Sequence, residues 1–248
     1  MMAPDHEPDD QDAPADDGAS AHARGSFFGR RKGHKLRNHQ ADLIDNLLPH
    51  LALDIGGGPA PANFGELFEG EIDDVRLEIG FGGGEHLIAE ARAFPQTGFI
   101  GCEPYVNGMA KILTQIEALN IGNIRLYAGD AAELLAWAPP RSMARIDLIH
   151  PDPWPKRRHW KRRFVQDATV AAMARIIKAG GEFRFVSDID DYCAWTLAHL
   201  LRSPDFFWTA ARAIDWRQPW EGYTMTRYGR KAEREGRVAA YLRFRRTG

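Results

Sequence analysis

The feature that most constrains the fold of this chain is a regular alternation, from residue 75 onward, of short apolar runs with longer amphipathic stretches. The runs of strand length are residues 75–79, 98–102, 124–127, 146–149 and 182–186, and the helical stretches between them are residues 85–93, 106–119, 131–137 and 165–178. Because parallel strands are joined by crossover helices, this order predicts a mostly parallel sheet with helices on both faces.

Two further apolar runs, residues 206–211 and 238–245, predict strands that join the same sheet in antiparallel orientation. The predicted fold class is therefore α/β, a Rossmann-like seven-stranded sheet formed by residues 70–248. Ahead of it, residues 24–69 are predicted to form a basic arm and a short amphipathic helix. Residues 1–23 are rich in Asp, Ala and Pro without apolar periodicity, so we expect a disordered acidic tail.

Charge is distributed unevenly along the 248 residues. Residues 1–23 contain seven acidic residues and no Lys or Arg, so the remainder carries 32 basic and 27 acidic side chains. The basic residues are clustered, and a polyanion responds to the local field more than to the net charge. One cluster lies in residues 24–37, which we interpret either as a solvated linker or as an arm that contacts nucleic acid.

The sequence argues against several other classes of protein. It contains no apolar run of the roughly 18 residues that a membrane span needs, and its acidic N-terminus is unlike a secretory signal. Cys102 and Cys193 are too few for a disulfide framework or a zinc site. His150 and His159 have no partners at metal-binding spacing. We therefore expect a cytoplasmic enzyme with no metal and no membrane attachment.

A glycine-rich turn follows the first predicted strand, in the sequence Leu-Glu-Ile-Gly-Phe-Gly-Gly-Gly-Glu over residues 77–85. Glycines such as Gly80 and Gly82 let the backbone approach a ligand at the carboxyl edge of the sheet. The dinucleotide pattern G-x-G-x-x-G would need a glycine where this chain has Glu85, and the G-K-[ST] ending of a phosphate loop is absent. The turn therefore argues against a nicotinamide dinucleotide or a nucleoside triphosphate.

Three acidic residues, Glu78, Glu103 and Asp130, lie at the ends of successive predicted strands. A carboxylate after the second strand can accept both hydroxyls of a ribose, and one after the third can accept from an adenine amino group. Glu78 would then lie near the amino-acid end of the ligand. One acidic residue at a strand end is more often a helix cap or a surface charge. Three in succession beside a glycine turn predict an S-adenosylmethionine site and a class I methyltransferase fold.

The fourth predicted strand leads into the sequence His-Pro-Asp-Pro-Trp-Pro over residues 150–155, in which prolines restrain the backbone around Asp152. Six of the next eight residues, 156–163, are cationic. We interpret this run as a contact surface for an RNA backbone rather than a solvated face, because it follows the predicted catalytic edge and contains an aromatic residue. The expected RNA contacts are Arg158, His159, Trp160, Lys161, Arg162 and Arg163.

The string Pro-Asp-Pro-Trp-Pro-Lys-Arg-Arg-His-Trp-Lys-Arg-Arg over residues 151–163 resembles the tRNA (guanine-N7)-methyltransferases. The glycine turn, the basic residues 30–37 and the segment Thr226-Arg227-Tyr228 are also similar to that family, so the likeness spans about residues 27–246. The resemblance implies that S-adenosylmethionine donates a methyl group to the guanine at position 46, in the variable loop of tRNA.

The resemblance also implies roles for individual residues. Those expected around the cofactor are Glu78, Gly80, Gly82, Glu103, Asp130 and Asp152, and those expected at the substrate are Lys156, Asp188, Thr226, Arg227, Tyr228 and Gly229. The chain departs from the family at one of them, because the family usually has Glu where this sequence has Gly229. That departure puts one substrate contact in doubt.

Asp152 is the predicted catalytic residue, because a carboxylate beside guanine would stabilise the positive charge that methylation creates at the ring. Asp188 is the second candidate, with a helix cap near residue 190 as its alternative role. Two other functions remain open. The Asp152-Pro153-Trp154 segment is similar to the Asp/Asn-Pro-Pro-aromatic motif of amino-methyltransferases acting on other bases. A non-catalytic RNA-binding protein could also retain a methyltransferase fold.

Overall fold

The computed structural model of this protein describes residue 29 and residues 31–248. In this part of the chain, one sheet has the strand order β3-β2-β1-β4-β5-β7-β6, in which only β7 runs antiparallel to its two neighbours. The strands are β1 (Asp74–Ile79), β2 (Thr97–Cys102), β3 (Ile124–Tyr127), β4 (Met143–Ile149), β5 (Ile177–Ser187), β6 (Phe206–Trp208) and β7 (Ala240–Arg246). The predicted α/β fold with seven strands is confirmed.

Helices cover both faces of this sheet. The α-helices are α1 (Asn38–Asn46), α2 (Leu48–Leu51), α3 (Glu85–Ala93), α4 (Val106–Leu119), α5 (Ala131–Trp137), α6 (Asp167–Ile176), α7 (Asp190–Arg202), α8 (Ile214–Arg217) and α9 (Arg227–Arg234), and two 3₁₀ helices span Phe64–Leu67 and Arg157–Arg162. Helices α1, α3 and α4 share one apolar core on one face, whereas α5, α6 and α7 pack on the other. No described helix is long and apolar enough to cross a bilayer.

The observed boundaries differ from the predicted ones near the antiparallel edge. The strand predicted over 206–211 ends at Trp208, and the one predicted over 238–245 begins at Ala240. The strand predicted over 182–186 is longer, because Ile177 pairs with Met143 across an irregularity in the ladder. Hydrogen bonding to the neighbouring strand therefore determines where these strands begin and end. The local sequence pattern carries no information about that pairing.

The segment before the sheet is packed against it. Leu43 in α1 and Leu51 in α2 belong to the same core as α4, and the Leu53 amide donates to the Leu126 carbonyl at 2.9 Å. Residues 31–37 of the predicted basic arm lie along the start of α4, where Asn107 accepts from the Gly33 amide and donates to the His34 carbonyl, both at 2.8 Å. The predicted acidic tail, residues 1–23, lies outside the described residues.

A buried ion network lies between the sheet and α3. Arg76 in β1 pairs in register with Arg145 in β4, so both guanidinium groups are on the face that α3 covers. Glu90 of α3 accepts from both, at 2.9 Å from Arg76, and Asp147 accepts from Arg145 Nε at 2.7 Å. Burial disfavours the charged guanidinium of Arg145, but Asp147 and Glu90 outweigh it and raise its pKa. These pairs hold α3 on the sheet.

Arg145→Met should lower the free energy of unfolding by about 3–5 kcal/mol, because it leaves Glu90 and Asp147 buried with less compensating charge. Urea denaturation of the variant against the wild-type protein measures the change. Lys178→Met is the matched control, since it breaks the largely exposed pair with Asp74 and should cost less than about 1 kcal/mol. Equal effects of the two substitutions would show that the buried network does not stabilise the fold.

Candidate active site

The glycine turn occupies the carboxyl edge of the sheet, between β1 and α3. Gly80, Gly82 and Gly84 have φ values of 71°, 57° and 82°, a left-handed conformation that side chains other than glycine rarely adopt. The first turn of α4 lies close by, since a Cβ atom on Gly108 would lie 2.4 Å from the Gly82 carbonyl oxygen. The turn and α4 can thus approach each other only because residue 108 is glycine.

Glu103, at the end of β2, braces this turn. Its Oε2 accepts from the Gly82 amide at 2.8 Å and its Oε1 accepts from the Tyr105 amide at 3.0 Å. Burial raises the pKa of Glu103, while the two backbone donors oppose that shift and the nearby Asp152 adds to it. Each carboxylate oxygen keeps a further lone pair. The residue predicted to bind a ribose therefore also fixes the loop that would surround the ligand.

Asp130 begins α5 as its N-cap, with Oδ1 accepting from the Ala132 amide at 2.9 Å. Its other oxygen, Oδ2, is buried and accepts no hydrogen bond from the described residues. Buried carboxylate oxygens are rarely left without a donor. The cap role and the predicted ligand role are thus compatible, because they use different oxygens.

The loop after β4 holds Asp152 between two residues with strained backbone. His150 and Trp154 have φ values of 49° and 43°, which are unusual for residues with a Cβ atom and mark a loop that its surroundings hold in place. Asp152 remains accessible at the mouth of the loop, and partial loss of hydration raises the pKa of its carboxyl. Its charge acts on Glu103, so the two carboxylates belong to one site.

The C-terminal segment Thr226–Tyr228 reaches the same place. Thr226 caps α9 by accepting from the Gly229 amide at 3.2 Å, which directs the next two side chains toward the glycine turn. A Cβ atom on Gly82 would lie 3.5 Å from the Tyr228 ring and 3.9 Å from Arg227 Nη2. The structure therefore brings this segment onto the turn, more than 140 residues away in sequence.

Asp188 does not cap α7, which was its alternative role. Its Oδ1 lies 3.0 Å from His150 Nδ1, and its Oδ2 accepts from Arg237 Nε at 2.6 Å. Burial disfavours the carboxylate, but Arg237 and His150 outweigh it, so the pKa of Asp188 is lowered. Asp188 is thus held ionised, one strand over from the Asp152 loop.

Gly229 is buried in the first turn of α9, where a side chain would be crowded. A Cβ atom there would lie 3.0 Å from Met225 Cγ and 3.2 Å from His150 Nε2. Because its φ is not in the left-handed region, the limit at this position is space and not backbone conformation. A glutamate at 229 would require Met225 and His150 to move.

The cationic run forms a short 3₁₀ helix, Arg157–Arg162, directly after the Asp152 loop. Arg157, Arg158 and Lys161 are exposed on this helix, and so is Lys156 directly before it. His159 and Trp160 are half-buried, with Trp160 packed edge-on to Trp195 at a centroid distance of 5.5 Å. Arg162 is also half-buried, with its guanidinium 5.0 Å from the Trp154 ring centroid. The exposed charges provide a surface that a phosphate backbone can reach.

Arg163 does not belong to that surface, so its prediction as an RNA contact is wrong. It is only 2% exposed, and its guanidinium is enclosed by the rings of Trp160, Tyr192 and Trp195. Its Nε donates to the Pro153 carbonyl at 3.0 Å, and its Nη2 pairs with Asp191. Its role is to join the Asp152 loop to α7, and its position in a cationic run gave no sign of that role.

Several residues of the site had no signal in the sequence. His86 and Tyr223 lie next to Glu78, and Arg237 holds Asp188. The first two could have been suspected only from a histidine directly after the glycine turn and from an aromatic near the substrate segment. In the part of the chain that the structure describes, no three His, Cys, Asp or Glu side chains are grouped as metal ligands would be.

Comparison with known proteins agrees with this geometry. Residues 73–242 match a family described as putative methyltransferase. The tRNA (guanine-N(7)-)-methyltransferase of Bradyrhizobium diazoefficiens is 78% identical over 222 residues, which cover 90% of this chain and 94% of that protein. The protein of the same name from Nitrobacter hamburgensis is 70% identical and covers 99% of this chain and 97% of its own length.

A similar fold is seen in the crystal structure of the 16S rRNA methyltransferase KamB, with a TM-score of 0.56 at 16% identity. The match covers 77% of this chain and 95% of that one. At that identity the likeness concerns the fold alone. The sequence similarity extends much further, over the sheet, the glycine turn and the Thr226–Tyr228 segment. The chain therefore belongs to the tRNA (guanine-N7)-methyltransferase family.

Proposed function

We propose that this protein transfers a methyl group from S-adenosylmethionine to N7 of a guanine in tRNA. The observation that carries the proposal is the identity of at least 70% with relatives of that name over nearly the whole chain. The target by family resemblance is the guanine at position 46 in the variable loop, and the proposed location is the cytoplasm. The buried, unpaired Cys102 and Cys193 fit a reducing compartment.

The residues at the carboxyl edge fit S-adenosylmethionine. Gly82 and Gly108 have no side chain, so the space beside the turn, which a side chain would fill, is left for a ligand. Asp130 Oδ2 is a buried acceptor suited to an adenine amino group, and Glu103 lies where a ribose is bound in folds of this type. When bound, the cofactor supplies a methyl group already activated by its sulfonium.

Catalysis by this chain is a matter of position and charge. Guanine N7 has a free lone pair at neutral pH, so no general base is needed before it attacks the methyl carbon. Holding two reactants in line can contribute about 7–11 kcal/mol in well-oriented systems. Asp152 lies near Glu103 in a loop that its prolines and strained neighbours hold in place, and its carboxylate stabilises the purine ring as that ring becomes cationic.

The exposed cations of the 3₁₀ helix, together with Arg227 at the glycine turn, bind the phosphates of the substrate. The cations of the helix follow Asp152 within a few residues, and Arg227 lies against the glycine turn, so the backbone of the RNA is held close to the base that reacts. Phosphate contacts of this kind set affinity without reading sequence. The choice of guanine then falls to side chains beside the reacting base, for which Asp152, Asp188 and Tyr228 are the candidates.

Incubation of bulk tRNA with labelled S-adenosylmethionine should yield 7-methylguanosine at one position of the variable loop, identified by nucleoside mass spectrometry and site mapping.

Asp152→Asn keeps the shape of the side chain but removes its charge, so turnover should fall about a hundredfold or more, equivalent to about 2.7 kcal/mol. Affinity for tRNA should change far less. A methylated adenine or cytosine would overturn the proposed function, and near-normal turnover of the variant would remove Asp152 from catalysis.

Replacing Arg157, Arg158 and Lys161 together with Ala should weaken tRNA binding and flatten its dependence on salt by up to about 2.7 logarithmic units per decade, because each lost phosphate contact is worth about 0.9. Cofactor affinity should be unchanged. Fluorescence titration at several salt concentrations measures both the affinity and the slope.

The matched control changes the same charge at the opposite edge of the sheet, in Arg92, Lys178 and Arg202, of which Arg92 and Arg202 lie in the last turns of α3 and α7. That triple variant should bind tRNA with nearly the wild-type salt slope. Equal slopes for the two triple variants would show that the 3₁₀ helix is a solvated surface with no part in RNA binding.

A further inference from the structure

A buried histidine next to the glycine turn has no part in the function described so far. His86 is the second residue of α3, and its side chain is 1% exposed. Its Nδ1 lies 2.7 Å from Oε2 of Glu78, the last polar residue of β1 before the turn. A histidine in such a place needs a reason, because burying an imidazole costs free energy unless its nitrogens are paired.

The charges around His86 favour a protonated imidazole. Three carboxylates, those of Glu78, Glu90 and Asp147, share the space under α3 with two guanidinium groups, so one negative charge is left over. Burial disfavours the charged imidazole, but Glu78 and the neighbouring acids outweigh it and raise the pKa of His86. The carboxylate of Glu78 therefore accepts from the imidazole through Nδ1.

Stability of the core alone does not account for this arrangement. A core built only for stability would satisfy its buried polar atoms. Here His86 Nε2, Asp147 Oδ1 and Tyr223 Oη are buried without a hydrogen-bond partner among the described residues. The two rings lie together, with the His86 and Tyr223 centroids 5.8 Å apart. Unsatisfied groups of this kind cluster where a fold gives up stability for a functional geometry.

The position of Glu78 indicates the function of the His86–Glu78 pair. It lies two residues before Gly80, between Asp147 of β4 and Gly101 of β2 in the register of the sheet. His86 fixes one oxygen of Glu78, whereas the described residues give the other oxygen, Oε1, no hydrogen bond. Oε1 is thus an acceptor held in one orientation at the start of the turn that surrounds the cofactor.

We propose that His86 is a positioning residue for the cofactor, which fixes the Glu78 carboxylate so that Oε1 accepts from the α-amino group of S-adenosylmethionine. The inference rests on the proposed function, and it assigns to His86 the amino-acid end of the ligand only. The adenosine end is bound elsewhere, by Glu103 and Asp130. A defect in His86 should therefore affect ligands that carry the amino acid and spare those that lack it.

Calorimetry with two ligands tests this division. S-adenosylhomocysteine contains the amino acid, whereas 5′-methylthioadenosine has the same adenosine and thioether without it. His86→Leu removes the donor to Glu78 and should weaken binding of S-adenosylhomocysteine by about tenfold or more, with 5′-methylthioadenosine changed less than about twofold. His86→Asn, whose Nδ2 takes the place of Nδ1, should stay within about threefold of wild type for both ligands.

Glu103→Ala is the control at the other end of the ligand, and it should weaken both compounds to a similar degree. Thermal unfolding shows which variants are folded. If His86→Leu is not folded, His86→Gln takes its place, because the longer side chain of Gln moves the amide donor away from Glu78. Unchanged affinity of the Leu or Gln variant for S-adenosylhomocysteine, or equal loss for both ligands, would overturn the role of His86. Wild-type protein that binds neither ligand would overturn the proposed function itself.

Discussion

The rest of the structure depends on the neutralisation of charge between the sheet and α3. Arg76 and Arg145 project from neighbouring strands onto the face that this helix covers, and an apolar helix could not bury them. Glu90 and Asp147 supply the opposite charge and thereby fix the helix in one place. Because the glycine turn is continuous with α3, the position of the helix decides where the turn lies, and with it the ligand site.

The turn is held from two more directions. Glu103 accepts from the Gly82 amide on one side, and Tyr228 and Arg227 lie against it on the other. Residues that contact the cofactor in the proposed function are thus also residues that shape its loop. Substitutions among them will rarely separate binding from local structure, which is why the sharpest tests compare ligands or amide variants instead of relying on activity alone.

The sequence predicted structure well where a residue type acts through its own local properties, as apolar side chains and glycines do. Alternating apolar runs predicted the sheet, and the spacing of Gly80 and Gly82 after a strand predicted a glycine turn at its carboxyl edge. The prediction was wrong where the role of a residue depends on partners that are distant in the sequence. Arg163 looks like its cationic neighbours, but its partners come from Pro153 and α7, which no local pattern reveals. Helix α9 was not predicted at all, because its sequence is almost entirely polar and it forms around the Thr226 cap.

Within the proposed function, the buried guanidinium of Arg163 has a consequence for the kind of RNA that the protein would accept. By donating to the Pro153 carbonyl it sets a fixed separation between the loop of Asp152 and the exposed cations that follow. In a base-paired stem the bases are stacked inside and face away from whatever lies along the backbone. Only a nucleotide turned out of its stack can satisfy both positions at once. If the exposed cations bind RNA as proposed, rigidity at this one buried side chain would favour an unstacked nucleotide over a helical stem without any contact that recognises sequence.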